Sequence, residues 1–253
     1  MEWFMSDDTQ LPSNRVNSYA MTAVGHVRKH NEDAYLSQSA QCHWAVADGM
    51  GGHSAGDVAS QSIVETLENF ELRPEFPDAV DLLEDLLLET NRKLRNLAGE
   101  SHKIIGSTVA GVVLLPAHYL IYWCGDSRVY LYRNGVLVQE TVDHTYTQEL
   151  VAQGMLTPEQ ALVHPERNVI TRAVGASDEL FVDMDIRNLQ AGDRFLICSD
   201  GLDKELSDTD IATFMEQRDL PLDQLTQQMM DCCLERGGRD NITLILIDNL
   251  TAA

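Results

Sequence analysis

Positive charge is scarce in this sequence: 18 lysines and arginines stand against 40 aspartates and glutamates in 253 residues, a formal net charge of −22. Such a surplus repels polyanions, which argues against non-specific nucleic-acid binding and against docking on an anionic membrane. Most of the carboxylates are expected to do no more than solvate the surface. No run reaches the roughly 18 apolar residues of a membrane helix. Residues 1–14 are polar and acidic (Asp7, Asp8) and lack the apolar stretch of a secretory leader. The five cysteines (Cys42, Cys124, Cys198, Cys232 and Cys233) form no C-x-x-C pair. Cys124 and Cys198 end apolar runs, where a buried thiol is the ordinary explanation. The expectation is a cytoplasmic protein with reduced thiols. No repeat, low-complexity tract or Pro/Gly-rich linker divides the chain, so a loose tail over 1–14 and one domain over 15–250 are expected.

What is present is ample core material, 44% hydrophobic residues. Short strands are predicted over 16–24 and 43–47. Helical spacing follows over 55–70, with Val58, Ile63, Leu67 and Phe70 on one face. It recurs over 79–98, with Val80, Leu83, Leu87, Leu94 and Leu97 inward and Asp81, Glu84, Asp85 and Glu89 in water. Strands are predicted over 108–115, 118–123, 128–133 and 136–140, joined by Gly125-Asp126-Ser127 and the hairpin signal Asn134-Gly135. Two more are predicted over 195–198 and 242–247. Between them Ser207-x-x-Asp210 reads as a capping box, and Pro221 opens a helix that stops at Gly237-Gly238. Helices packed outside a β-sandwich would satisfy this order.

Four aspartates share a local pattern in which an apolar strand abuts a carboxylate: Asp48-Gly49, Gly125-Asp126, Asp200-Gly201 and Asp240-Asn241. One Asp-Gly is an ordinary turn. Four beside hydrophobic runs favour a shared metal site, because gathered carboxylates repel one another unless a cation lies between them. Oxygen ligands without cysteine or clustered histidine select Mg²⁺ or Mn²⁺ over Zn²⁺. Two such ions could activate a bridging water toward phosphorus. In Arg28-Lys29-His30-Asn31-Glu32-Asp33 the arginine is either a phosphate clamp or half of a surface salt bridge.

The ordered set R-K-H-N-E-D-A (28–34), V-A-D-G-M-G-G-H-S-A-G (46–56), G-S-T (106–108), C-G-D-S-R-V-Y (124–130), V-D-H-T (142–145), H-P-E-R-N-V-I-T-R-A-V-G (164–175), C-S-D-G-L (198–202) and G-R-D-N-I-T (238–243) resembles the type 2C (PPM-type) metal-dependent Ser/Thr protein phosphatases, especially their compact bacterial members. It spans nearly all of the chain after the tail. The resemblance implies an α+β fold, a four-layer α-β-β-α sandwich of two antiparallel sheets flanked by helix pairs. It implies two core ions, Mn²⁺ or Mg²⁺, and a labile third. Asp48 would bridge the core pair, the Gly49 carbonyl would hold one ion, and Asp200 and Asp240 would complete the other. Asp33, with Glu32 beside it, would act mainly through metal-bound water. Arg28 would orient the phosphate, Asp126 with Asp200 would hold the third ion, and Asn241 would support the Asp240 loop. A metal-bridging hydroxide would then displace the seryl or threonyl oxygen in line, without a phosphoenzyme.

Two departures stand out. Met50 occupies a place where many relatives outside the bacterial group carry a histidine proposed as the leaving-group acid; a metal-bound water, such as one at the Asp126 metal, or His53 would substitute, His53 being read alternatively as a loop cap. Lys204 stands where some relatives carry an additional acidic ligand, with Asp203 one residue early. Residues 143–175 resemble the family's flap, with Thr157-Pro158-Glu159-Gln160 opening a short helix. The implied partners are phosphorylated proteins, including a bacterial-type Ser/Thr kinase whose work the monomeric enzyme would oppose. The alternatives are action on one dedicated regulatory phosphoprotein, such as an anti-sigma-factor antagonist or a secretion-system component, or a catalytically silent phosphoprotein binder.

Overall fold

A computed structural model describes residues 16–51, 55–72, 76–99 and 105–250. The tail over 1–14 and His53 lie outside the described residues. Two antiparallel sheets form the centre. The first has the order β1 (Val16–Ala23), β11 (Ile242–Asn249), β10 (Arg194–Cys198), β7 (Arg128–Arg133), β8 (Val136–Gln139). The second runs β2 (Asp33–Gln38), β3 (His43–Gly51), β5 (Val109–Leu114), β6 (His118–Cys124), β9 (Asp183–Asn188), with β4 (Ile105–Ser107) beside β3.

The sheets face each other across Trp44, Val46, Ile121, Val129, Phe195, Ile197 and Ile245, all buried. These strands carry apolar residues on both faces because each sheet is covered twice. On the far side of the second sheet, α1 (Ala55–Leu67) and α2 (Phe76–Ala98) bury Ile63, Leu67, Leu83, Leu87 and Leu94. Outside the first sheet, the one-turn α5 (Asp200–Asp203), α6 (Asp208–Met215) and α7 (Leu222–Arg236) bury Leu202, Ile211, Leu225 and Met229. This is the expected α-β-β-α layering.

Local signals account for several boundaries. Ser207 and Asp210 cap α6 reciprocally, Pro221 stands immediately before the first residue of α7, and Thr157 with Gln160 makes a capping box on α4 (Pro158–Leu162). Asn134 and Gly135 both take positive φ (52° and 80°), which turns β7 into β8. Two helix-face expectations need correction. Val58 is 46% and Leu97 61% exposed. Ala59 lies one position round from Val58 and is buried in its place; Leu97 sits at the helix end, where Ala98 is buried instead. No helix among the described residues is long and apolar enough to cross a membrane.

Candidate metal centre

The strand ends that carry aspartate gather at one end of the sandwich. Asp48, in β3, stands in register opposite Asp33, the first residue of β2. Asp126 follows β6, Asp200 follows β10 and Asp240 precedes β11. Asp33 crosses between the sheets: its Oδ2 accepts hydrogen bonds from Ser199 Oγ and Thr243 Oγ1, each at 2.7 Å. Asp48 is fixed through its backbone. Its N–H donates to Thr108 Oγ1 (3.0 Å), its carbonyl accepts from Thr108 N–H (2.9 Å), and Thr108 Oγ1 shares a 2.6 Å hydrogen bond with Ser127 Oγ. Thr108 therefore ties β3 to the turn that carries Asp126.

Close backbone packing explains the two Asp-Gly glycines. A Cβ at Gly49 would lie 2.0 Å from the Gly56 carbonyl oxygen and 2.5 Å from that of Glu32. One at Gly201 would lie 1.9 Å from the Asn241 carbonyl oxygen. Glycine alone lets these loops touch. Glu32 contributes its backbone to this packing: its carbonyl accepts from Gly49 N–H and Ser60 Oγ, and its N–H donates to Asn241 Oδ1. The Asn241 amide donates to the carbonyls of Val24 and His30, at 2.9 and 3.0 Å, so it stitches the Asp240 loop to the segment bearing Arg28.

Burial and mutual repulsion set the charges. Burial first, then the fields of Asp33, Asp200, Asp126 and Asp240, push the Asp48 carboxyl well above its usual range. The geometry agrees: Asp33 pairs with Asp48, Thr108 links Asp48 to Ser127 beside Asp126, and Asp126, Asp200 and Asp240 line one groove. Asp33 is raised to about 6 and Asp126 to about 8, each mainly by burial. Asp203, which sequence reasoning assigned no direct role, joins the cluster and is raised to about 7, again mainly by burial. Asp240 behaves oppositely: burial pushes it up, but hydrogen bonds from Arg28 and Lys204 outweigh this and hold it low.

Arg28 is half-exposed and grips Asp240 with Nε at 2.7 Å and Nη2 at 2.9 Å. Lys204 Nζ contacts Asp240 Oδ2 at 2.9 Å and also Asp200 Oδ2. Arg128 binds Asp143 through two nitrogens and Asp203 through Nη1 at 3.1 Å. Among the described residues no three side chains already converge as a coordination sphere; Asp200 and Asp240 are drawn onto these cations instead. The donor chemistry still fits a hard divalent ion. All the donors are carboxylate or carbonyl oxygens, and Asp33, Asp126, Asp200 and Asp203 each keep a buried Oδ1 with no hydrogen-bond partner. Binding a cation would require Asp200 and Asp240 to exchange ammonium and guanidinium contacts for it.

The cluster opens into a groove of about 1110 Å³ that continues along Thr145, Leu162 and Arg167. That wall belongs to the segment 143–175, with α3 (Tyr146–Ala152) and α4, rooted by bridges Thr145–Ile170 and Ser107–Val174. His144 anchors its base. Its Nδ1 accepts from Gly125 N–H (3.1 Å), its Nε2 faces Asp183 Oδ2 (3.2 Å), and its ring stacks on Trp123. Cys198, beside the cluster, is wholly buried, and burial raises its thiol well above the usual value.

The protein phosphatase 2C family profile matches residues 24–246. A putative protein phosphatase 2C-type protein of Streptococcus pyogenes is 35% identical over 236 residues, covering 90% of this chain and 95% of that one. Among solved structures, PppA, described as a key regulatory component of the type VI secretion system in Pseudomonas aeruginosa, superposes with a TM-score of 0.83 at 36% identity, covering 92% of this chain and 96% of its own. The catalytic domain of the serine/threonine protein phosphatase PstP, in complex with 2 manganese ions, gives a TM-score of 0.80 at 32% identity, with 92% and 97% covered.

Proposed function

The chain belongs to the protein phosphatase 2C family and is a protein serine/threonine phosphatase, and from that premise we propose that its acidic cluster holds two divalent cations, Mn²⁺ or Mg²⁺, for hydrolysis of phosphoserine and phosphothreonine in proteins. The observation that carries this reading is the convergence on Asp48 of four other carboxylates, three of them with an orphaned buried oxygen where the donors are Asp33, Asp126 and Asp200. Bound cations would supply Lewis-acid activation of water and screening of charge on the phosphoryl oxygens.

The residues divide the remaining tasks. Asp48 would serve both ions, with the Gly49 carbonyl beside it, and Asp200 and Asp240 would hold one of them. Asp33, its Oδ2 committed to Ser199 and Thr243, presents Oδ1 inward and would orient water. Arg28 would leave Asp240 and grip two oxygens of the substrate phosphate, a planar fork matched to a planar pair. Asp126 would hold a further, labile ion, and Asn241 would keep the Asp240 loop in place. Residues 15–250 would act as one domain, with 143–175 contacting the protein substrate around the phosphoresidue. The physiological substrates would include a Ser/Thr kinase that the enzyme, a cytoplasmic monomer, opposes. Likeness to PppA favours a second substrate reading, a dedicated regulatory phosphoprotein of a secretion system.

Hydrolysis of p-nitrophenyl phosphate and of a phosphothreonine peptide tests the reading. Turnover is expected with Mn²⁺ or Mg²⁺ and none in EDTA. Turnover that persists in EDTA would overturn it.

A further inference from the structure

We propose that a shallow pocket between α6 and β8 is a second substrate subsite, which takes an arginine or lysine side chain about four residues from the phosphorylated serine or threonine. The proposal rests on the reading that the phosphoresidue is hydrolysed at the acidic cluster. It adds a substrate class to that reading: phosphopeptides with a cationic residue at this spacing.

The pocket, about 370 Å³, is lined by Tyr130, Val136, Leu137 and Ala212. It meets the groove of the acidic cluster at Gln139, Asp208 and Thr209, which border both. The β7–β8 register sets Gln139 opposite Tyr130 and Leu137 opposite Tyr132, so alternate residues of both strands face α6. β8 is the last strand of its sheet, so among the described residues no further strand covers the pocket. Asp126 lies two residues before β7, and Tyr130 is the third residue of that strand. At the rise of a strand the four steps between them span roughly 13 Å, which an extended substrate chain covers in about four residues.

The chemistry of the pocket selects its occupant. Val136, Leu137 and Ala212 give it an apolar wall, and two oxygens at its mouth have capacity left. Asp208 accepts one long hydrogen bond, from the Tyr130 hydroxyl at 3.4 Å, and makes no ion pair among the described residues, whereas Asp210 is held by Arg236. Gln139 commits its amide hydrogens to the Thr141 carbonyl and Asp143 Oδ1, at 3.0 and 2.8 Å, which leaves Oε1 without a donor among the described residues. Arg128, which donates to the Tyr130 hydroxyl, is already matched by Asp143 and Asp203. Lysine and arginine lay an aliphatic stem on apolar surface and keep a charged head among polar groups, which is the arrangement offered here. An acidic side chain would meet Asp208 with no cation to offset it. The net charge of −22 draws cationic segments in general but favours no position along them; the pocket supplies the position.

The test measures turnover, with Mn²⁺, of phosphothreonine peptides that carry one arginine at successive positions on either side of the phosphothreonine, against the all-alanine peptide. Arginine three to five residues away on one side is expected to raise kcat/KM about two- to fivefold, through KM, the range of an exposed ion pair. Each variant is read as the ratio between its own arginine and alanine peptides, so any change in the chemical step divides out. Asp208→Asn and Ala212→Phe, which fills the pocket, are expected to bring that ratio to one, and Asp208→Glu to keep it. Asp208→Lys is expected to transfer the preference to glutamate at the same position; if it does not fold, Asp208→Asn carries the test. An equal gain from arginine at every position would assign the effect to net charge and overturn the proposal, as would a ratio unchanged in Asp208→Asn and Ala212→Phe. Turnover of p-nitrophenyl phosphate that survives EDTA would overturn the metal reading alone, since the peptide ratios do not depend on it.

Discussion

At the residue scale, the proposed function hangs on carboxylates that the fold holds at a cost in repulsion. Asp48→Asn and Asp240→Asn each remove one negative charge from the proposed cation site, so turnover with Mn²⁺ is expected to fall to background while circular dichroism stays native. Thr243→Val deletes one of the two hydroxyls on Asp33 Oδ2 and leaves a buried carboxylate oxygen half-satisfied. The expected loss is about 1–3 kcal/mol, read by urea unfolding. Asp48, Asp126, Asp200 and Asp240 were legible in the sequence because each abuts a glycine or asparagine at a strand end, whereas Asp33, between Glu32 and Ala34, was legible only through the resemblance of segment 28–34. Ser199, Thr243 and the cross-cluster reach of Lys204 were not. Ser199 and Thr243 lie 166 and 210 residues from Asp33, and nothing local to either marks the contact. Thr108 stood in a recognisable G-S-T segment, but its task, joining Asp48 to Ser127, appears only when β3 and the β6–β7 turn are brought together.

At the element scale, boundaries were readable wherever a cap or turn residue wrote them. The α6 capping box is such a case, and Asp210 is doubly used, since it also pairs with Arg236 of α7 at 2.6 Å. Ser207→Ala is expected to cost about 0.5–2 kcal/mol, measured as a lowered melting midpoint. It should leave metal affinity unchanged, because Ser207 bonds to Asp210, Asp210 also to Arg236, and neither to any of the clustered aspartates. Besides the three-residue β4, two strands escaped notice for opposite reasons. In β2 the carboxylate and polar residues of Asp33–Gln38 mask a short pattern of alternating burial toward its end. In β9 the sequence DMDIRN is charged and largely exposed, and only its pairing with β6 makes it a strand. Neither carries the continuous apolar run that betrayed β5, β10 and β11, which are buried on both faces.

At the scale of the whole molecule, the buried aspartates make stability depend on pH in the opposite sense to ordinary surface ion pairs. Asp33, Asp203 and Asp126 have folded pKa values of about 6, 7 and 8, above the unfolded carboxyl value. The folded chain then binds more protons than the unfolded one, so stability falls as pH rises from about 4 and levels off near the highest of these values. Protein kept in EDTA is expected to melt higher at pH 6 than at pH 8, and Mn²⁺ is expected to raise the midpoint most at pH 8. A melting midpoint in EDTA that climbs between pH 6 and 8 would contradict this. The first sheet carries one more consequence. β1 has β11 as its neighbour along all eight residues, and β11 in turn separates β1 from β10. A chain emerging from the ribosome thus makes the edge strand of this sheet first and the strand it must pair with last among the described elements. Asp240 arrives only just before that partner. The acidic cluster is completed by the same late event that closes the sheet, so a nascent chain stalled before residue 240 has neither.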